Sequence, residues 1–204
     1  MSIFLLQGMW VDSAPFNDSG SHADQDLTVL YPLMPEDPSW LWIGLIAGGD
    51  ANNLARTQLV VRPDPNAFGN PPLAPASSGG DLQYKWGMNC HDSGGTLELS
   101  EGSPPNGFFA LSGFFGEGTG QFGIPGGLGR YAYVGSEMIL STAPASTEIW
   151  NDHGSGADDD GSVWTIDQSG WQDNGWKCFV AQSGYDQPGG TFPVLDLSKI
   201  NFNF

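Results

Sequence analysis

Two stretches of this chain gather oxygen-bearing side chains closely enough to hold a cation or a polyhydroxylated ligand. Asn17, Asp18, Asp24 and Asp26 fall within ten residues, as do Asn151, Asp152, Asp158, Asp159 and Asp160. A hard cation such as Ca²⁺ takes about six to eight such oxygens, which makes Asp24, Asp26, Asp158, Asp159 and Asp160 candidate metal ligands. The spacing is not that of an EF-hand, whose closing Glu is absent. The same residues also suit turns, because Asn and Asp bond their own backbone and the intervening Gly supplies positive φ. Both readings stand at this level.

Aromatic residues form the second constellation. Trp150, Trp164, Trp171 and Trp176 lie within 27 residues, and Trp10, Trp40, Trp42 and Trp86 lie elsewhere. A Trp face stacks on a sugar ring, and a neighbouring Asp or Asn accepts its hydroxyl hydrogens. Trp150, Trp164 and Trp176 read as core, whereas Trp171 sits among Gln168, Ser169, Gln172, Asp173 and Asn174 and reads as exposed. The candidate ligand-binding set is therefore Asp152, Asp158, Asp160 and Trp171, with Asn17, Asp18, Asp24 and Asp26 as an equivalent first site.

Catalytic patterns are missing. His22, His91 and His153 each sit in or beside an acid-rich motif, yet no nucleophile elbow, zinc-protease helix or Cys-His spacing accompanies them. The Gly-rich run Gly113 to Gly123 lacks the Lys of a phosphate loop. The expectation is a non-enzymatic protein with no catalytic residue.

These candidates are positioned by internal repetition. Asn17 to Leu30 and Asn151 to Trp164 align without gaps, with eight of fourteen positions identical and an offset of 134 residues (151 − 17). Half of that offset predicts a middle copy, and a worn one stands at Asn89 to Leu99, keeping Asp92 and Gly94. Each landmark is followed by an aromatic run, a Gly-rich loop and a strand-like run: Gln58 to Val61, Arg130 to Val134 and Phe192 to Leu195. Short β-branched and aromatic runs bounded by Gly, Pro, Asn and Asp are strand signatures, and no helical periodicity persists. The expected repeats span about 1–65, 81–140 and 147–204, with a Pro/Gly/Ser linker at 66–80 and a further loop at Ser141 to Ser146.

A small antiparallel sheet cannot bury its apolar face alone, but three around a pseudo-threefold axis share one core. The fold expected is one all-β, three-repeat, β-prism-like domain; a β-trefoil and a β-sandwich are the alternatives. Residues Ile149 to Trp164 also resemble the repeated W-N-D-x-G-S-G-A…W motif of a fungal and plant family called vacuolar protein sorting-associated. Its repeats are similar to β-prism modules of some pore-forming toxins. That resemblance implies a β-rich module and not an enzyme.

Composition narrows the partners. With 23 acids against 6 basic residues the net charge is −17, which repels nucleic acid and anionic lipid. Neutral polar ligands, cations or basic partners suit such a surface. No apolar run approaches the ~20 residues of a membrane span. Met1 to Leu6 lacks the basic start of a signal peptide, so the expectation is a soluble protein, cytoplasmic or non-classically secreted. Cys90 and Cys178 are read either as one long-range disulfide or as two buried thiols. Disorder is excluded by 39% hydrophobic and 12% aromatic residues, despite 30 Gly and 15 Pro.

The functional expectation is a lectin-like protein recognising cell-surface glycans, with calcium assistance and an oligomeric state left open. A pore-forming or membrane-targeting toxin component and a self-assembling structural protein are the alternatives.

Overall fold

The computed structural model describes residues 4–18, 21–49, 54, 57–76, 82–89, 96–117, 130–157, 159–166 and 178–203. Repeat one supplies β1 (Leu6–Asn17), β2 (Thr28–Pro32), β3 (Leu41–Trp42), β4 (Ile46–Gly48) and β5 (Thr57–Pro63). Repeat two supplies β6 (Leu73–Pro75), β7 (Leu82–Asn89), β8 (Thr96–Gly102), β9 (Phe108–Phe109), β10 (Gly113–Glu117) and β11 (Ala132–Gly135). Repeat three supplies β12 (Ile139–Ala143), β13 (Ala145–Asn151), β14 (Gly161–Ile166), β15 (Phe179–Ser183) and β16 (Phe192–Leu195), and β17 (Ile200–Asn201) closes the chain.

Each repeat builds the same antiparallel three-stranded sheet, with a landmark loop joining its first two strands. These sheets are the second half of β1 with β2 and β4, then β7 with β8 and β10, then β13 with β14 and β15. The repetition reaches the register. Asn17 faces Thr28 and Val29 faces Ala47, while Asn151 faces Ser162 and Val163 faces Ala181, every position displaced by 134. A second set of sheets lies beside the first: β1 with β5 and β3, β6 with β11 and β9, and β12 with β16. The fold is the all-β, pseudo-threefold, β-prism-like domain that the repeats imply.

Apolar burial explains why no repeat could stand alone. One core cluster joins Val29 and Trp42 of repeat one to Phe114 and Tyr131 of repeat two and to Trp150, Val163 and Phe179 of repeat three. Trp42 and Trp150 are fully buried, and the Trp42 ring lies 4.5 Å from Tyr131 and 5.7 Å from Phe114 between centroids. A second cluster joins Leu6, Ile46, Val61, Leu111, Val134, Ile166 and Leu195, again from all three repeats.

The structure alters the expected boundaries. Within the 66–80 stretch expected as a linker, Leu73–Pro75 forms β6, paired with Ala132, Tyr133 and Val134. The prolines conceal this strand but do not forbid it, because β6 is an edge strand that needs no N–H on its outer side. Ser141 to Ser146, apart from Pro144, likewise belongs to β12 and β13, so repeat three starts earlier than its landmark suggests.

β17 joins the first strand to the last. Leu6 and Gln7 pair in parallel with Ile200 and Asn201, the Leu5 amide donates to the Lys199 carbonyl at 2.9 Å, and Trp10 stacks on Phe202. Gly8 makes this approach possible, since a Cβ there would stand 2.3 Å from the Ile200 side chain. Gly8→Val is therefore expected to cost about 1–3 kcal/mol by forcing the strands apart. A urea titration should show a lower midpoint, and hydrogen exchange should show lost protection at Ile200 and Asn201. An unchanged midpoint would mean that β17 contributes nothing to closure.

Candidate functional site

The landmark loops begin with a buried carboxylate. Asp18 Oδ1 accepts from the Leu27 amide at 2.9 Å, and Oδ2 accepts from the Ser21 hydroxyl and the Trp150 indole N–H, each at 2.9 Å. Asp152 takes the equivalent place in repeat three, where its Oδ1 accepts from the Gly161 amide at 3.0 Å. The surrounding turns correspond bond for bond: the Ser21 and Ser155 amides donate to the Asp18 and Asp152 carbonyls, and the Ala23 and Ala157 amides donate to the two Ser hydroxyls. His22 (φ 59) and Gly156 (φ 76) occupy the same left-handed position; His tolerates it better than most side chains.

Asp18 and Asp152 are only 5% and 3% exposed. Their acceptor positions face protein donors, so they act as turn caps and a surface ligand meets their neighbours instead. Trp150 is fully buried, as expected of a core tryptophan. Trp164 is half-buried and donates its N–H to Ser162 Oγ.

The two loops interlock. Asp24 of repeat one donates its amide to the His153 carbonyl at 2.7 Å, and its Oδ2 lies 3.0 Å from His153 Nδ1. Gly154 (φ +86) permits the contact, because a Cβ there would stand 2.5 Å from Asp24 Oδ1. On the other side Tyr185 donates its hydroxyl to Asp160 Oδ1 at 3.0 Å, and its ring stands 6.3 Å from the His153 ring. His153 and Asp24 are 72% and 66% exposed, and Tyr185 is 38% exposed. The junction thus presents an imidazole, a phenol and two carboxylates to solvent.

Electrostatics follow from these contacts. The Asp24 hydrogen bond, then its charge, raise the His153 imidazole above its ordinary value of 6.5. Desolvation, then hydrogen bonding to Asp152 and Asp160, push the Tyr185 phenol well above its ordinary value of 10.0.

The remaining candidates scatter. Asn17 is exposed at the end of β1, and Asp26 and Asp159 are exposed within their loops. Asp158, Trp171, Trp176, Cys90 and His91 lie outside the described residues; Cys178 is buried. Among the described residues no three His, Cys, Asp or Glu side chains converge as a metal-ligand group. The calcium expectation therefore finds no ligand cage there. Tyr185 and His153 escaped the candidate list: Tyr185 lies 25 residues from Asp160 in sequence, and His153 was weighed only as a catalytic base.

No protein family model matches the chain, and no curated protein does. Among solved structures, GNIP1Aa from Chromobacterium piscinae has a similar fold, with a TM-score of 0.72 and 20% identity. The match covers 97% of this chain and 38% of GNIP1Aa, so the chain spans well under half the length of that protein.

Two measurements test this geometry. Trp150→Phe keeps an aromatic ring but removes one donor from the buried Asp18 carboxylate, and is expected to cost about 1–3 kcal/mol in chemical denaturation. A loss below a few tenths would separate the bond from stability. The second measurement is the NMR titration of His153. Because its folded value is raised, the attraction to Asp24 is fully present below 6.5 and is lost as pH rises through the folded value. The midpoint should lie above 6.5 in the parent and fall in Asp24→Asn; equal midpoints would remove Asp24 as the partner.

Proposed function

We propose that this chain is a non-enzymatic, lectin-like recognition module that binds a neutral sugar of a cell-surface glycan where the first and third landmark loops meet. The supporting observation is the exposed pairing of Tyr185 and His153 with Asp160 and Asp24. The aromatic rings offer apolar faces to the C–H side of a pyranose. The carboxylates keep free lone pairs for its hydroxyls, since each oxygen accepts more than one hydrogen bond. The net charge of −17 favours a neutral sugar over a phosphorylated or sulfated one. Calcium assistance belongs to this proposal and rests on the acid-rich loops alone.

A second reading is a pore-forming or membrane-targeting component. It is favoured by the likeness to GNIP1Aa, in which this fold accounts for 38% of a longer chain. A recognition module would there serve as the part that selects the surface. Leakage of neutral-lipid vesicles by this chain alone would support membrane action, and glycan binding without leakage would leave targeting.

A glycan array with and without chelator tests the first reading. Parent protein should give discrete neutral-glycan signals, reduced roughly tenfold or more by Tyr185→Ala and by His153→Ala. Phe68→Ala, exposed and outside the landmark loops, should change little. Silence on the array in both buffers would overturn the proposal.

A further inference from the structure

A concavity lies between repeat two and repeat three. It holds about 220 Å³ and is lined by Phe109, Phe179, Phe192, Ile166 and Val180, with Glu101 among its walls. Phe179, Ile166 and Val180 belong to the buried floor, whereas Phe109 is 37% exposed at the rim. Its residues come from β8, β9, β14, β15 and β16, so the pocket is built by the packing of two repeats and not by one loop.

Size sets the first limit on an occupant. An apolar cavity of about 150 Å³ accommodates benzene, and drug-sized ligands need about 300 Å³ or more. A pocket of 220 Å³ therefore fits one compact group. Charge sets the second. Among the described residues Glu101 is the one ionisable side chain lining the pocket, and the chain as a whole carries −17. Aromatic rings beside a single carboxylate favour a weakly hydrated cation, whose charge the ring quadrupoles attract and whose methyl groups the apolar floor covers. A primary ammonium fits less well, because its three N–H groups need three acceptors, and beside the Glu101 carboxylate the described side chains offer only the Ser112 hydroxyl, which already accepts from the Leu45 amide.

We propose that this pocket binds a quaternary ammonium group, with Phe109 and Phe192 as ring walls and Glu101 as counter-ion. The site is independent of the sugar junction. The group could arrive as a free solute or as a choline lipid headgroup, and the chemistry at the pocket is shared.

The test compares choline with its neutral carbon isostere 3,3-dimethylbutan-1-ol, using titration calorimetry and NMR shifts of residues lining the pocket. Choline should bind about tenfold more tightly or better, the range of a partly desolvated cation–π contact. Glu101→Gln should reduce choline to the level of the isostere, and Phe109→Ala should weaken it several-fold. Both positions are partly exposed, so the fold is checked by unchanged thermal unfolding. Tyr185→Ala should leave choline binding intact, while Glu101→Gln should leave any glycan signal intact, which separates this proposal from the preceding one. Co-sedimentation with phosphatidylcholine vesicles would identify the headgroup as the source; choline binding without sedimentation would identify a free ammonium. Equal affinity for choline and its isostere, or no saturable shift with either, would overturn the proposal.

Discussion

The carboxylate of Asp18 is the constraint on which the interlocked loops depend. A charge that is 5% exposed must be compensated, and this one accepts from a backbone amide, a hydroxyl and the indole of a residue 132 positions away. Hydrogen bonds to an ionised acceptor are stronger than neutral ones, and removal of a donor leaves part of a buried charge unpaired. The bond from Trp150 therefore does two things at once. It fixes the turn of repeat one, and it anchors the strand leading into the loop of repeat three. That loop in turn closes on Asp24 through His153. The order of the acids in the motif has a physical meaning: the first caps its own turn inside, and the later ones face outward.

How much of this was legible in the sequence depends on where each signal lay. The 134-residue offset between Asn17 and Asn151 carried over into strand register, because identical turn residues make the same hydrogen bonds and so start the next strand in the same phase. The strands β6 and β12 were harder to see. Leu73-Ala74-Pro75 looks like spacer until its partner β11 is known, since short edge strands are specified by what they pair with. The candidate site was half visible. Asp24 and Asp160 stood in the motif, but their partners did not follow from periodicity: Tyr185 lies beyond β15, and the Asp24–His153 pair spans 129 residues. Asp18 and Asp152 show the converse, where turn-capping and ligand-binding use the same residue type and only burial separates them.

The scarcity of cations sharpens this picture. Of six basic residues, two converge on one loop of repeat one. Arg130 donates to the carbonyls of Pro35, Asp37 and Trp40, while Arg62 pairs with Asp37 at 3.0 Å and stands 4.6 Å over the Trp40 ring. The Ser39 amide, ahead of Arg62, holds the Asp37 carboxyl below its ordinary value. Both guanidinium groups are thus spent joining the aromatic segment of repeat one to its own β5 and to repeat two. Surface ion pairs contribute little individually, but Arg130 satisfies three carbonyls of a turn that has no strand partner. The acid excess of the landmark loops is left facing solvent.

Pseudo-symmetry makes the departures from it informative. Repeats one and three keep the full landmark and meet face to face, so their loops form one composite surface that neither could form alone. Repeat two has fewer residues between β7 and β8, and its sequence lacks the downstream acid pair. It meets repeat three instead through β7, β8 and β10, and at Gly113 of β10 a Cβ would stand 3.0 Å from the Phe179 ring. A side chain at Gly113 would crowd the floor of the pocket, so the small residue preserves both the packing and the concavity. One backbone plan thus carries two chemically different surfaces. The first arises where the repeats agree and their polar loops interlock; the second arises where they differ and their aromatic strands leave a space.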